Sequence, residues 1–321
     1  MTHPTHSIIV VTPVYEDFEA SSWLFRELHT EFGSNVYVVA VDDGSVRQPL
    51  NSRSLSAAGV EGCVLKLRRN MGHQQAIAVG LFYVSQLIVP LQRVVIMDSD
   101  GEDLPSSISQ LLKLLEQPAT DIVVAQRKKR SESPQFRAFY LVYKRFFSIM
   151  TGRSISFGNF MALKPDALKR LVALPELSIH VAAAVLASKL RTETCPLDRG
   201  TRYAGQSKMN FVGLTLHGFK ALMVFSEDVM VRVGIACALI ASLSVFIALV
   251  ATALKLIGLS TPGWFSIALG ILVIVFLQTG ALALMTLMLT GNIRGGRVTS
   301  DVTYNCLIDS VSKTSELTKL E

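Results

Sequence analysis

Two long apolar stretches near the C-terminal end, Val233 to Leu256 and Phe265 to Leu289, constrain this chain more than any other feature. Only scattered Ser and Thr, Lys255 at one edge and Gln278 interrupt them. Each exceeds the roughly 20 residues that cross a bilayer as a helix. Neither has a polar face, which separates them from the amphipathic helices of a soluble core, although a buried helical pair remains the alternative. The connection Gly258-Leu259-Ser260-Thr261-Pro262-Gly263 is short, so the expected arrangement is a two-helix transmembrane hairpin with both outer ends on one side. Lys220 and Arg232 precede it and Arg294 and Arg297 follow it, which by the positive-inside tendency makes that side the cytoplasm. Met1 to His6 is polar, so no cleaved signal is expected to export the N-terminal portion. The expected location is the bacterial inner membrane, with the rest of the chain cytoplasmic and the membrane as a partner. Gln278 and Gly280 could line a helix contact in a homo-oligomer.

These stretches explain why half of the 321 residues are apolar while only 17% are charged, with a net charge of +6. The length allows one large domain or two. Cys63, Cys195, Cys237 and Cys306 have no C-x-x-C spacing and are expected as reduced packing residues.

The remaining chain alternates strand-like and helix-like segments. Apolar runs at Ser7 to Thr12, Asn35 to Val41, Gly62 to Leu67, Arg93 to Met97 and Asp121 to Ala125 alternate with helical spacing at Phe18 to Phe32, Gln74 to Gln86 and Leu104 to Glu116. That pattern predicts an α/β fold with a mostly parallel sheet covered on both faces. Ligands bind such sheets at the carboxyl ends of the strands. The unusual polar residues cluster there: Tyr15 and Asp17, then Asp42 and Asp43, then Asn70 to His73, then Asp98 to Asp103. In the last group, Asp98, Asp100 and Glu102 alternate, and such hard oxygens suit Mg²⁺ or Mn²⁺. A solvated acidic turn is the alternative.

Pro13-Val14-Tyr15, Val41-Asp42-Asp43-Gly44-Ser45, Arg69-Asn70-Met71-Gly72-His73-Gln74-Gln75-Ala76 and Met97-Asp98-Ser99-Asp100-Gly101-Glu102-Asp103-Leu104-Pro105 together resemble the inverting family-two glycosyltransferases with the GT-A nucleotide-sugar-binding fold. The resemblance implies an enzyme, a hexosyltransferase, that binds a nucleotide diphosphate sugar. Pro13, Tyr15 and Asp17 would lie along the nucleotide, Asp42 would accept from a nucleobase N–H, and Asp98 would face the ribose. Asp100 and Glu102 would hold a divalent cation, Mg²⁺ or Mn²⁺, on the diphosphate, where its charge stabilises the leaving group. Glu16-Asp17 stands where relatives often have Asn-Glu, and Gly101-Glu102 where the membrane branch often has Leu-Gln.

Arg199-Gly200-Thr201-Arg202-Tyr203-Ala204-Gly205-Gln206-Ser207-Lys208 further resembles the R-x-x-G-x-S-K loop of the polyprenyl-phosphate branch, the dolichyl-phosphate-mannose-synthase-like enzymes. This implies that Arg202 and Lys208 close over phosphates. Arg127, at the end of the fifth strand, and Arg137, on an aromatic-rich helix at a bilayer surface, would recognise a lipid phosphate; a solvated charge run is the alternative. Nucleic acid is not an expected partner of this basic segment. Asn159 and Met161 occupy the place of Gly-Asp-Phe-Arg-Leu in many relatives, so a carboxylate and an arginine are missing. A phosphate acceptor needs no general base, which favours polyprenyl (undecaprenyl) phosphate and a role in cell-envelope glycans. The alternatives are a hydroxyl acceptor, glycolipid or polysaccharide, or an inactive nucleotide-sugar-binding membrane scaffold. The domain boundaries expected are a GT-A domain over 1–210, an interfacial helix over 211–230, the two membrane helices within 231–291, and a cytoplasmic tail over 292–321.

Overall fold

The computed structural model describes residues 6–127, 134–203, 211–259, 263–295 and 301–317. The chain divides into two units, one comprising Met1–Lys144, Arg153–Val224 and Val298–Glu321, the other Arg145–Gly152 and Phe225–Arg297.

The first unit is built on a sheet of eight strands among the described residues: β1 (Ile8–Val14), β2 (Val36–Asp42), β3 (Glu61–Leu67), β4 (Arg93–Ile96), β5 (Ile122–Arg127), β6 (Met161–Leu163), β7 (Thr192–Leu197) and β8 (Ile308–Lys313), in the order β7-β5-β6-β4-β1-β2-β3-β8. β1 pairs in parallel with β2 and β4, β2 with β3, and β5 with β7; β6 and β8 run antiparallel to their neighbours. The expected mostly parallel sheet is therefore present, with antiparallel insertions.

Strand pleating sends alternate side chains to opposite faces, and here both faces are covered. Ile9, Val11, Val39 and Val41 enter one core with α3 (His73–Ser85). Ile8, Val10, Val38 and Ala40 enter the other with Leu24, Phe25 and Leu28 of α1 (Phe18–Phe32). This two-sided burial is why the strands read as continuous apolar runs. A Cβ at Gly80 of α3 would lie 2.6 Å from Val11 Cγ1 and 2.8 Å from Val41 Cγ2, so glycine sets how closely that helix seats on the sheet.

Shorter helices fill the connections: α2 (Ser52–Ala57) before β3, α4 (Ile108–Leu115) before β5, α5 (Pro134–Thr151) after it, α6 (Pro165–Val172) after β6, and α7 (Val181–Ala187) before β7. α8 (Phe211–Val224) follows β7, buries Ala221 and Val224 and exposes Leu216, Phe219 and Met223.

The second unit contains α9 (Ser226–Leu256) and α10 (Trp264–Gly295), which pack on one another. Ser226–Leu256 and Trp264–Thr286 are long and apolar enough to cross a membrane, with hydropathies of 2.7 and 2.5. Small residues lie at their contact, as where Gly234 faces Thr286 Oγ1. Beyond them the chain returns to the first unit through α11 (Asp301–Leu307), β8 and α12 (Thr314–Leu317). Residues 308–313, expected as part of a tail, form the strand that borders β3.

Candidate functional site

The strand ends gather the polar groups into one place. β1 and β4 are in parallel register, with Val11 opposite Ile96, so the segments leaving them run side by side. Pro13 lies within central strand β1, where a missing N–H would ordinarily break a ladder. β4 has already ended at that level, and Ser99 Oγ donates to the Pro13 carbonyl at 3.2 Å. Tyr15 follows, exposed, and Asp17 stands at the N-cap position of α1 without a side-chain capping bond.

Two carboxylates shape the loop after β2. Asp42, fully buried, accepts from the Ser45 amide at 2.8 Å and the Leu50 amide at 2.9 Å. Asp43 accepts from the Met71 and Gly72 amides at 2.7 and 2.9 Å and so ties the β2 end to the β3 end. Burial raises the Asp43 pKa, against the lowering effect of those two amides. Directly after Asp42 and Asp43, Gly44 has φ +71, and a Cβ there would lie 2.4 Å from the Arg69 carbonyl carbon. Glu16, at φ 48, accepts from the Val46, Arg47 and Gln48 amides, which hold its carboxyl below the usual range. Asp42 and Glu16 thus pin the loop over residues 43–50 from two sides.

The acidic loop after β4 lies opposite the segment that follows β7. Arg202 Nη2 is 2.7 Å from Asp100 Oδ2, its Nε is 3.1 Å from Glu102 Oε1, and Arg199 Nη2 pairs with Glu102 Oε2. The Gly200 amide donates to the Glu102 carbonyl and the Tyr203 amide to the Asp100 carbonyl, both at 3.0 Å. The Tyr203 ring lies over Gly101, whose φ of +88 also demands glycine, and Tyr203 Oη donates to Glu27 Oε2 at 2.6 Å. Burial and the neighbouring Asp98 charge raise the Asp100 pKa, while Arg202 and Arg199 oppose them. The carboxylates of Asp100 and Glu102 form a hard-oxygen donor set of the kind Mg²⁺ and Mn²⁺ take together with substrate phosphates. Two guanidinium charges already stand against these oxygens, so the site accommodates a double positive charge there and the residues fit a divalent cation.

On the other side of the loop, His73 Nε2 lies 3.1 Å from Asp98 Oδ1. Burial lowers the His73 pKa, but the Asp98 charge and hydrogen bond, with Asp100 and Asp103 behind them, outweigh it and the net shift is upward. Asn159 Nδ2 is 3.0 Å from the same imidazole nitrogen, and Asn159 Oδ1 accepts from Gln74 Nε2 at 3.3 Å. A cavity of about 30 Å³ remains between these groups, lined by Asp98, Glu102, Gln126, Asn159 and Arg199 among others. It has room for about two waters.

Of the residues singled out in the sequence, the structure brings Pro13, Tyr15, Asp17, Asp42, Asp98, Asp100, Glu102 and Arg202 to the strand ends. Arg127 closes β5 and Arg137 lies on α5; Lys208 is outside the described residues. Sequence reasoning gave no role to Arg199, Tyr203 or Glu27. Arg199 had a signal, since it stands three residues before Arg202, whereas Glu27 on α1 had none.

Glycosyl transferase family 2 matches residues 9–172. No curated protein matches the sequence. Among solved structures, mannosyl-3-phosphoglycerate synthase from Rubrobacter xylanophilus is similar with 15% identity and a TM-score of 0.49, over 80% of this chain and 78% of that one. Glucosyl-3-phosphoglycerate synthase from Mycobacterium tuberculosis, in complex with Mn²⁺, UDP-glucose and phosphoglyceric acid, is similar with 15% identity and a TM-score of 0.49, over 71% of this chain and 80% of that one. The same enzyme with Mg²⁺ and UDP gives 14% identity and a TM-score of 0.48, over 71% and 79%. These findings correct several expectations. The structures just named are phosphoglycerate glycosyl synthases, and the placement in the polyprenyl-phosphate branch is withdrawn. The polyprenyl phosphate acceptor, the membrane as partner, the inner-membrane location with a cytoplasmic catalytic domain, and the cell-envelope role fall with it. The lipid-phosphate roles of Arg127 and Arg137 go no further, because they were inferred from that acceptor.

Proposed function

The chain belongs to glycosyl transferase family 2 and is a glycosyltransferase with a GT-A-like fold and a mixed, mostly parallel sheet, and from that premise we propose that it moves a hexosyl group from a nucleotide diphosphate sugar to the hydroxyl of a small acceptor. The cofactor is a divalent cation, Mg²⁺ or Mn²⁺. Asp100 and Glu102 would hold it, and the charge it supplies when bound offsets that of the departing diphosphate. The observation that carries the reading is the meeting of Asp98, Asp100 and Glu102 with Arg199 and Arg202 where β1 and β4 end. Pro13, Tyr15 and Asp17 lie along the nucleotide in this reading, and Asp98 faces the ribose. Asp42 acts by holding the loop over residues 43–50 in shape, since both its oxygens take backbone amides.

A hydroxyl acceptor must lose its proton as it attacks, and Asn159 cannot take it. Beside the acidic loop, the His73–Asp98 pair is the group that can take up a proton near neutral pH. With His73 as base the acceptor is a hydroxyl, and a phosphate acceptor would need no such group. The experiment is transfer of labelled hexose from UDP-glucose with Mn²⁺ to a panel of hydroxyl acceptors that includes phosphoglyceric acid. His73→Ala should lower kcat by about 10² to 10⁴ while Mn²⁺-dependent UDP binding persists. Undiminished kcat would remove His73 from the reaction.

The α9–α10 hairpin carries a finer reading of the fold, a membrane crossing that rests on its length and composition and not on the withdrawn acceptor or location. Extraction at alkaline pH tests it, and release of the intact chain in soluble form would refute it.

A further inference from the structure

We propose that Arg199 and Arg202 form an exchangeable counter-cation: they hold Asp100 and Glu102 while no metal is bound, and pass to the donor's diphosphate when the metal takes those carboxylates. This makes Arg199 a further donor-binding residue, and it rests on the metal and donor assignments above.

The pairing geometry comes first. Three guanidinium nitrogens from two arginines meet the carboxylates of the two metal-site residues, whose side chains keep only 14% and 17% of their exposure. A divalent cation that takes Asp100 Oδ2 and the Glu102 carboxylate must displace these guanidinium groups. The exchange conserves charge, because one M²⁺ replaces two guanidinium charges. The displaced pair is then available to a diphosphate, an anion that planar guanidinium forks bind bidentately.

The backbone couples the two events. The Gly200 and Tyr203 amides bond to the carbonyls of Glu102 and Asp100, so Arg199 and Arg202 ride on a segment hydrogen-bonded to the loop they neutralise. A Cβ at Gly200 would lie 2.3 Å from the Gly101 carbonyl oxygen, which shows how close the two backbones are. Arg199 and Glu102 both line the adjoining cavity, so the arginines stand at the wall that a substrate entering there would meet.

The test measures two affinities on the full chain with Arg199→Ala, and with Arg199→Gln as a second variant of closer shape. Mn²⁺ binding without nucleotide is followed by the spectroscopic signal of the free ion, and UDP binding at saturating Mn²⁺ by calorimetry. The exchange predicts shifts of opposite sign, with Mn²⁺ binding about fivefold tighter and UDP binding about fivefold weaker than in the parent protein. A merely structural arginine would weaken both. A pure competitor would tighten Mn²⁺ and leave UDP unchanged, and a pure phosphate ligand would leave Mn²⁺ unchanged; any of these three results overturns the proposal. If the parent protein binds UDP without regard to Mn²⁺, the metal assignment fails and the exchange with it. If Mn²⁺-dependent UDP binding is intact but the opposed shifts are missing, the exchange alone fails.

Discussion

His73 Nε2 lies within hydrogen-bond reach of both Asp98 Oδ1 and Asn159 Nδ2, and one ring nitrogen cannot satisfy an acceptor and a donor together. The Asn159 amide is not free to turn. The Val181 amide donates to Gln74 Oε1 at 2.6 Å, which leaves Gln74 Nε2 to donate to Asn159 Oδ1 and directs Asn159 Nδ2 at the imidazole. A carboxylate at position 159 would accept from both Gln74 and His73. Asn159→Asp should therefore raise the His73 pKa beyond its present upward shift, as an NMR titration of the imidazole would read. An unmoved or lowered value would break the network as described. The existing shift also fixes a pH dependence. A base works when neutral, so the acid limb of kcat should lie above the ordinary histidine value of about 6.5. By linkage, the stabilisation from the protonated His73–Asp98 pair is complete below the unfolded-state pKa and is lost as pH rises through the raised folded value. A rate profile with its acid limb below about 6.5 would remove His73 as the titrating group.

At the scale of elements, strand-end loops are held by backbone amides bonding to single carboxylates, and this makes Gly44 a sensitive position. An alanine there must adopt φ +71 and push the Arg69 backbone away. Gly44→Ala should cost about 2 kcal/mol or more, read as a lower midpoint in denaturant; an unchanged midpoint would mean that the close approach relaxes freely. Much of this layer was legible beforehand. Helix α1 spans Phe18–Phe32 as its spacing indicated, and the first five strands lie where the apolar runs were, because two-sided burial writes itself as unbroken hydrophobicity. β6, β7 and β8 were not legible. Met161–Leu163 is too short to have a period, Thr192–Leu197 carries Pro196, which suits its place at the sheet edge, and Ile308–Lys313 is mostly polar at the opposite edge. Ligand clustering could be read from strand order alone. The pairing of the acidic loop with Arg199 and Arg202 could not, because it joins segments about a hundred residues apart.

For the whole molecule, the apolar hairpin is inserted into the chain of the first unit, which resumes at Val298 and closes its sheet with β8. Removing residues 308–321 would expose the β3 edge and take away the Thr314 hydroxyl that bonds to Gly62. The truncated protein should melt lower and aggregate more readily, as scanning calorimetry and light scattering would record; unchanged melting would make β8 dispensable. The central claim is metal-dependent transfer of a hexose to a hydroxyl, and one assay tests it most directly. Purified full-length protein is incubated with labelled UDP-glucose, Mn²⁺ and either hydroxyl acceptors or undecaprenyl phosphate, beside Asp100→Ala. The account predicts Mn²⁺-dependent label on a hydroxyl acceptor and its loss in the variant with the fold retained. Label that passes only to undecaprenyl phosphate, or turnover undiminished in Asp100→Ala, would contradict it.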